Sequence, residues 1–270
     1  MKHEFTHELE TAAAVARDAA ELIRLHGGRV NANAVSEKGR HDLVTEIDVA
    51  SQELIVSSLR RHFPDYGFLA EEEQDDEGPP NASRRWVIDP IDGTTNFTHG
   101  VPPYSVSIGL IEDETVMAAV VLEVVSGETF TAIRGAGSYV NGVPMRVSDA
   151  RSLDEALIST GFPYRSVGHV DQYLAVLREF MVRCRGVRRH GSAAIDLAYL
   201  AAGRFDGFFE TGLMAWDIAA GMLLIEEAGG RVTTFEGGSS VLFDGQILAS
   251  NGGLHDEMRE VLQPLVGVFS

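Results

Sequence analysis

The chain has 270 residues, 44% of them hydrophobic and only 9 of them proline, which excludes a disordered polypeptide and allows a substantial buried core. Its 40 acidic against 22 basic residues give a formal charge of −18, a field that repels nucleic acid and anionic membrane and would repel a phosphorylated substrate unless bound cations inverted it locally. No apolar run approaches the roughly 20 residues that span a bilayer, the acidic N-terminus is unlike a signal peptide, and the single cysteine, Cys184, rules out an intrachain disulfide, so a cytoplasmic protein is expected.

Apolar positions Phe5, Leu9, Ala12, Ala13, Ala16, Ala20 and Ile23 recur at helical spacing and Gly27-Gly28 end the pattern, which predicts a first helix over residues 5–26. A polar stretch follows, carrying Lys38, one of only two lysines (the other is Lys2); an acid-rich, lysine-poor surface is expected of adaptation to high salt, and GC-rich coding is the plainer cause. In Asp42-Leu-Val-Thr-Glu-Ile-Asp48, Thr45 reads as an N-cap that places Asp48 at N3 of a helix through about Arg61. By itself Asp48 is a dipole-favoured first-turn acid, and Lys38 and Asp42 are surface charges. Residues 63–70 read as a turn and a short strand delivering Glu71-Glu72-Glu73, although an acidic run such as 71–77 is ordinarily solvated loop.

The stretch 86–97, Trp-Val-Ile-Asp-Pro-Ile-Asp-Gly-Thr-Thr-Asn-Phe, is the most informative in the chain. Trp86, Val87 and Ile88 predict a buried strand, Pro90 is expected to end its ladder at Asp89, and Gly93 permits close backbone approach to a ligand. Thr94 and Thr95 are expected to cap a short helix whose free N–H groups cradle an anion. Two carboxylates, a glycine turn and a helix start suit a hard cation beside a phosphate, while Asp-Pro and Asp-Gly alone signal only turns.

Residues 105–112, 115–123 and 128–133 are rich in Val, Ile and Thr and predict an antiparallel meander. Residues 152–155 read as a helical cap, 156–160 as a strand, Gly161-Phe-Pro-Tyr-Arg165 as a loop and 169–183 as a helix. His190-Gly-Ser-Ala-Ala194 opens a helix to about Ala202, with Ser192 as its N-cap. Residues 205–210 read as a strand closing on Glu210; Trp216-Asp-Ile-Ala-Ala-Gly221 begins an apolar helix in which Asp217 alone would pass as a cap. Strands at 231–234 and 247–250 and a helix at 254–265 complete the chain. No repeat and no flexible linker is visible, so residues 1–270 are expected to form one domain with sub-regions of about 1–150 and 151–270.

Together, the block ending at Asp48, Ala70-Glu-Glu72, the stretch 86–97, His190-Gly-Ser-Ala-Ala194 and Trp216-Asp-Ile-Ala-Ala-Gly221 occur in the order and approximate spacing of the inositol monophosphatases, lithium-sensitive, magnesium-dependent phosphatases. The chain resembles that family over residues 38–230 and departs from its Gly-Glu-Glu pattern at Ala70. The resemblance implies a layered αβαβα sandwich of the inositol monophosphatase and fructose-1,6-bisphosphatase type, with two to three Mg²⁺ ions per site. Glu71 and Asp89, with the backbone carbonyl of Ile91, would hold the first; Asp89, Asp92 and Asp217 the second; a looser third would lie near Glu71. Glu72 competes with Glu71 by one residue of register. Oxygen-only ligands suit Mg²⁺, and none of the nine histidines is needed.

The resemblance also implies roles. Asp48 and Thr94 would hold the attacking water and, with Glu71, make up the catalytic set. The N–H groups of Gly93 and Thr94 would bind phosphate oxygens, and Asp92, Ser192, Ala193, Glu210 and Asp217 would meet polyol hydroxyls. Lys38 and Asp42 would support the metal loop. Thr95-Asn96-Phe97 is similar to inositol monophosphatases and unlike the Lys-Glu-Phe-like continuation of adenosine bisphosphate phosphatases. Inositol-1-phosphate is therefore the first expected substrate, with fructose-1,6-bisphosphate and histidinol phosphate open. A homodimer is implied. Some bacterial relatives act in ribosomal RNA transcription complexes, so an interaction protein with a transcription-factor partner and secondary phosphatase activity is the alternative.

Overall fold

The computed structural model describes residues 3–27, 35–39, 42–72, 78–79, 82–164 and 167–268, and of 35–39, 42–45 and 167 the backbone only. In chain order the elements are α1 (Thr6–Leu25), β1 (Val35–Gly39), β2 (Asp42–Thr45), α2 (Glu46–His62), β3 (Gly67–Ala70), β4 (Arg84–Asp92), α3 (Thr94–His99), β5 (Ser105–Glu112), β6 (Thr115–Glu123), β7 (Thr129–Ile133), β8 (Gly137–Val140) and β9 (Val143–Pro144). Then come β10 (Leu157–Thr160), α4 (Val170–Arg183), β11 (Gly186–Arg188), α5 (Ala193–Ala201), β12 (Gly207–Thr211), α6 (Ala215–Glu227), β13 (Arg231–Thr233), β14 (Gln246–Ser250) and α7 (His255–Leu262).

Strands β3 to β9 form one sheet in sequence order, antiparallel except for the parallel β3–β4 pair. The second sheet runs β11-β10-β12-β14-β13, and β1 pairs with β2 in a ribbon within the stretch whose sequence reads only as polar. Side chains alternate along each strand, and the alternation sorts the core into three layers. Trp86 and Ile88 join α1 and α2 on one face of the seven-stranded sheet, while Val87 joins α5 and α6 on the other. Phe208 faces α5 and α6 as well, whereas its neighbour Phe209 packs with α4 and α7 beyond the five-stranded sheet. The order is thus α, β, α, β, α, the five-layer sandwich that the resemblance implies. Helices α5 and α6 are covered on both sides, which is why their sequences are apolar all round and lack a polar stripe.

One boundary differs in a way that matters. Pro90 does not end β4; the strand continues to Asp92, with Asp89 opposite Ser107 and Asp92 opposite Ser105. Three steps on β4 face two on β5, so one extra residue is bulged out around Pro90, which has no N–H to lose from the ladder. An unbroken strand would send Asp89 and Asp92 to opposite faces. The bulge returns both to the face that carries Val87, toward α5 and α6.

Candidate active site

The site is assembled where β3, β4 and the N-termini of α2, α5 and α6 meet. In the parallel β3–β4 pair, Ala70 is opposite Ile88, and the N–H of Glu71 continues the ladder to the Ile88 carbonyl at 3.2 Å. Glu71 is therefore next to Asp89, and its charge acts on the Asp89 carboxyl. Glu72 is drawn away: its N–H donates to Gln52 Oε1 at 2.9 Å and its carbonyl accepts from Gln52 Nε2 at 2.7 Å. Of the two acids, Glu71 is the one beside Asp89. Residues 73–77 of the acidic run lie outside the described residues, as do the side chains of Lys38 and Asp42, whose backbones are in β1 and β2.

Ligand-capable oxygens of Asp89, Asp92 and Asp217 all lie within 4.8 Å of one another. Asp92 is held at the start of α5, where its Oδ2 accepts from Ser192 Oγ at 2.6 Å and from the Ala194 N–H at 2.7 Å, and its Oδ1 from the Ala193 N–H at 3.3 Å. Ser192 is the N-cap of α5, as its sequence predicts. Asp217 sits at N3 of α6 and its Oδ2 accepts from the Met214 N–H at 2.6 Å, so the plain capping role and a place in the cluster are both realised. Ser107 Oγ, donating to the Trp216 carbonyl at 3.3 Å, ties β5 to this helix start.

Asp48 is fully buried at N3 of α2, and the Thr94 hydroxyl lies 3.1 Å from its Oδ1 and 3.1 Å from the Ile91 carbonyl. Gly93, not a threonine, is the N-cap of α3, and Thr94 is its first residue. Gly93 adopts φ 95°, which favours glycine, and a Cβ there would meet the Gly191 carbonyl at 3.0 Å.

Burial sets the electrostatics. Asp89 is held well above the usual carboxylate range by desolvation first, then by the charges of Glu71, Asp92 and Asp217. Asp92 is raised to about 6, burial outweighing its donors from Ser192, Ala194 and Ala193 and the nearby Arg189 guanidinium. Four carboxyls this close repel one another, and a bound cation relieves that repulsion. Oxygen-only donors spanning 4.8 Å match a hard divalent ion with metal–oxygen distances of roughly 2.0–2.6 Å, so the residues present fit such an ion.

Beside the cluster opens a hollow of about 80 Å³, lined by Asp92, Thr160, Arg189, Asp196, Glu210 and Asp217 among others. Residues 5–266 match the model of the inositol monophosphatase family. The chain belongs to that family. It is 44% identical to the Nus factor SuhB of Pseudomonas aeruginosa, over 95% of this chain and 96% of that one. It is also 44% identical to the inositol-1-monophosphatase of Rhizobium meliloti, over 87% and 88%. The solved structure of the Thermotoga maritima IMPase superposes with a TM-score of 0.88 at 38% identity, over 98% of this chain and all of that one. Inositol monophosphatases are metal-dependent phosphoric monoester hydrolases, and the acidic cluster is where this member would hold its metal.

Within the family frame, the structure adds residues that sequence reading passes over. His190 Nδ1 donates to the buried Asp196 at 2.7 Å across one turn, and desolvation lifts Asp196 to about 6 against that bond. Asn96 Nδ2 donates to the carbonyls of Pro103 at 2.8 Å and His190 at 2.7 Å, binding α3 to the segment that opens α5. Arg189 faces the hollow from the same segment. No helix among the described residues is long and apolar enough to cross a membrane.

Proposed function

We propose that this chain is a magnesium-dependent phosphomonoesterase acting on a small polyol phosphate, inositol-1-phosphate first. The observation that carries the reading is the convergence of Asp89, Asp92 and Asp217 within 4.8 Å, with Glu71 next to Asp89, beside an open hollow walled by Glu210. Glu71, Asp89 and the Ile91 carbonyl would hold one Mg²⁺, and Asp89, Asp92 and Asp217 a second, with a third near Glu71. Bound there, magnesium offsets the substrate's charge and acidifies a water molecule.

The protein's own part is orientation and proton handling. Thr94 Oγ1, donating to Asp48, keeps a lone pair free to accept from an attacking water, so the water's proton is drawn toward the Asp48 carboxylate. The N–H groups of Gly93 and Thr94, at the start of α3, would receive phosphate oxygens. Ser192 Oγ and the N–H groups of Ala193 and Ala194 fix Asp92, so their contribution to substrate is made chiefly through that carboxylate. Glu210, raised well above the carboxylate range by burial, offers acceptor oxygens suited to hydroxyls.

The test is phosphate release from inositol-1-phosphate with Mg²⁺, without metal, and with lithium added. Fast, metal-dependent, lithium-sensitive release is expected. Turnover of fructose-1,6-bisphosphate or histidinol phosphate in its place would keep the metal chemistry and replace the substrate. The similarity to the Nus factor SuhB favours one second reading, a role through protein partners in transcription. Capture of purified transcription factors by a catalytically dead variant would support it.

A further inference from the structure

Most polar side chains lining the hollow are already committed. The Thr160 hydroxyl donates to the Phe209 carbonyl at 2.7 Å, Ser192 donates to Asp92, and Asp196 accepts from His190. Two are not: among the described residues neither the Glu210 carboxylate nor the Arg189 guanidinium has a hydrogen-bond or ion-pair partner. The walls make room for both. A Cβ at Gly161 would lie 1.8 Å from Glu210 Oε1, and one at Gly191 would lie 2.5 Å from Arg189 Nη1. Arg189 is held by aromatic faces, its guanidinium carbon 5.6 Å from the Phe162 ring centre and 5.4 Å from that of Tyr164. Such contacts fix a cation while using none of its five N–H donors.

The remaining charged groups of the hollow, Asp92, Asp196 and Asp217, are acceptors, so Arg189 supplies the charged donor. A second anionic group on the substrate would have to sit against Glu210 and Asp196. A hydroxyl group can donate to a carboxylate and accept from a guanidinium, and two on adjacent carbons can engage both at once. We infer that Arg189 and Glu210 form a donor–acceptor pair that reads a vicinal diol of the substrate, with Arg189 a specificity-determining residue that favours polyol phosphates over phosphomonoesters without such hydroxyls. The inference rests on the polyol-phosphatase reading above.

The experiment compares wild type, Arg189→Ala and Arg189→Lys on inositol-1-phosphate and on p-nitrophenyl phosphate, with KM and kcat resolved at saturating magnesium. Arg189→Ala is expected to lower kcat/KM for inositol-1-phosphate about ten- to a hundredfold, mainly through KM, and to leave p-nitrophenyl phosphate within about twofold, since what is lost is one charged hydrogen bond to the polyol. Lysine should recover only part of the loss, because it keeps the charge without the planar fork. Equal losses on the two esters, or no loss on inositol-1-phosphate, would overturn the pair. A wild-type protein that hydrolyses p-nitrophenyl phosphate and ignores inositol-1-phosphate would instead remove the polyol reading, and the pair with it.

Discussion

Two groups of buried polar side chains occupy this fold and are satisfied in opposite ways. Behind the five-stranded sheet, His255 lies between β13 and β14 with its Nε2 2.9 Å from Thr233 Oγ1 and its Nδ1 3.0 Å from Ser250 Oγ. The Thr233 hydroxyl donates to the Thr234 carbonyl at 2.7 Å, which assigns the neutral ring to the Nε2–H tautomer, with Nδ1 accepting a hydrogen bond from the Ser250 hydroxyl. Ser250 Oγ in turn accepts from the Gly252 N–H at 3.0 Å. Every donor there has an acceptor. In the acidic cluster the reverse holds, with four carboxyls gathered and Asp89 receiving the Ile91 N–H at 3.0 Å amid its neighbours' charges. A closed polar knot serves stability; a cluster left electrostatically incomplete serves binding, because its deficit is filled by what it binds.

The sharpest way to break this comparison is Asp89→Asn. The amide keeps the shape and removes a charge, so activity should fall at least about a hundredfold, beyond what losing an outer-shell partner costs. Without metal, however, the variant should melt no lower than wild type, since the folded protein already favours an uncharged group at this position. Its magnesium-induced rise in Tm should disappear. A metal-free variant that melts well below wild type would show that Asp89 contributes to the fold, and the contrast would collapse.

Asp92 is the intermediate case, since it belongs to the cluster yet has three donors. Asp92→Ala should cost about 4 kcal/mol in urea unfolding of the metal-free protein, because the Ser192 hydroxyl and two helix-start N–H groups lose their acceptor. A loss no larger than that of Asp89→Asn would mean that the start of α5 does not depend on it.

Much of this division could be read from the residue string. Periodicity and turn residues gave the helices, and the strands β3 to β7, β10 and β12 to β14, within a few residues but not the short strands β8, β9 and β11, and the Asp-x-x-Asp-Gly and Trp-Asp patterns singled out the acids. What one-dimensional reading could not supply is register. Asp89 and Asp92 share a face only because β4 bulges at Pro90, which reads as a terminator when cross-strand partners are unknown. Glu71 is distinguished from Glu72 by a parallel neighbour that approaches from later in the chain. Arg189 and Asp196 resemble ordinary surface and helix residues until the fold turns them toward Glu210.

The knot gives a pH prediction of the opposite kind to a metal site. Burial lowers the His255 pKa to about 4 from its ordinary 6.5. The unfolded chain therefore takes up this proton first as the pH falls, so the contribution is fully present above about pH 6.5 and is lost progressively toward pH 4, amounting to about 3 kcal/mol. His255→Gln should flatten that part of the stability curve whether or not magnesium is present. A curve of unchanged slope would remove the histidine from the acid response.

The smallest expected effect tests what joins the two sheets at the site. Asn96 is neither in the carboxylate cluster nor in the knot, but its one Nδ2 group donates to both Pro103 and His190. Asn96→Ala should cost about 2 kcal/mol through two carbonyls left with fewer donors. If those bonds only stabilise, KM for inositol-1-phosphate will stay where it is. If they also hold the 189–191 segment against α3, KM will rise while kcat at saturating substrate changes little, because the segment carries Arg189 and the acids remain anchored by α5 and α6. A fall in kcat with KM unchanged would place Asn96 with the acids and separate it from the wall of the hollow.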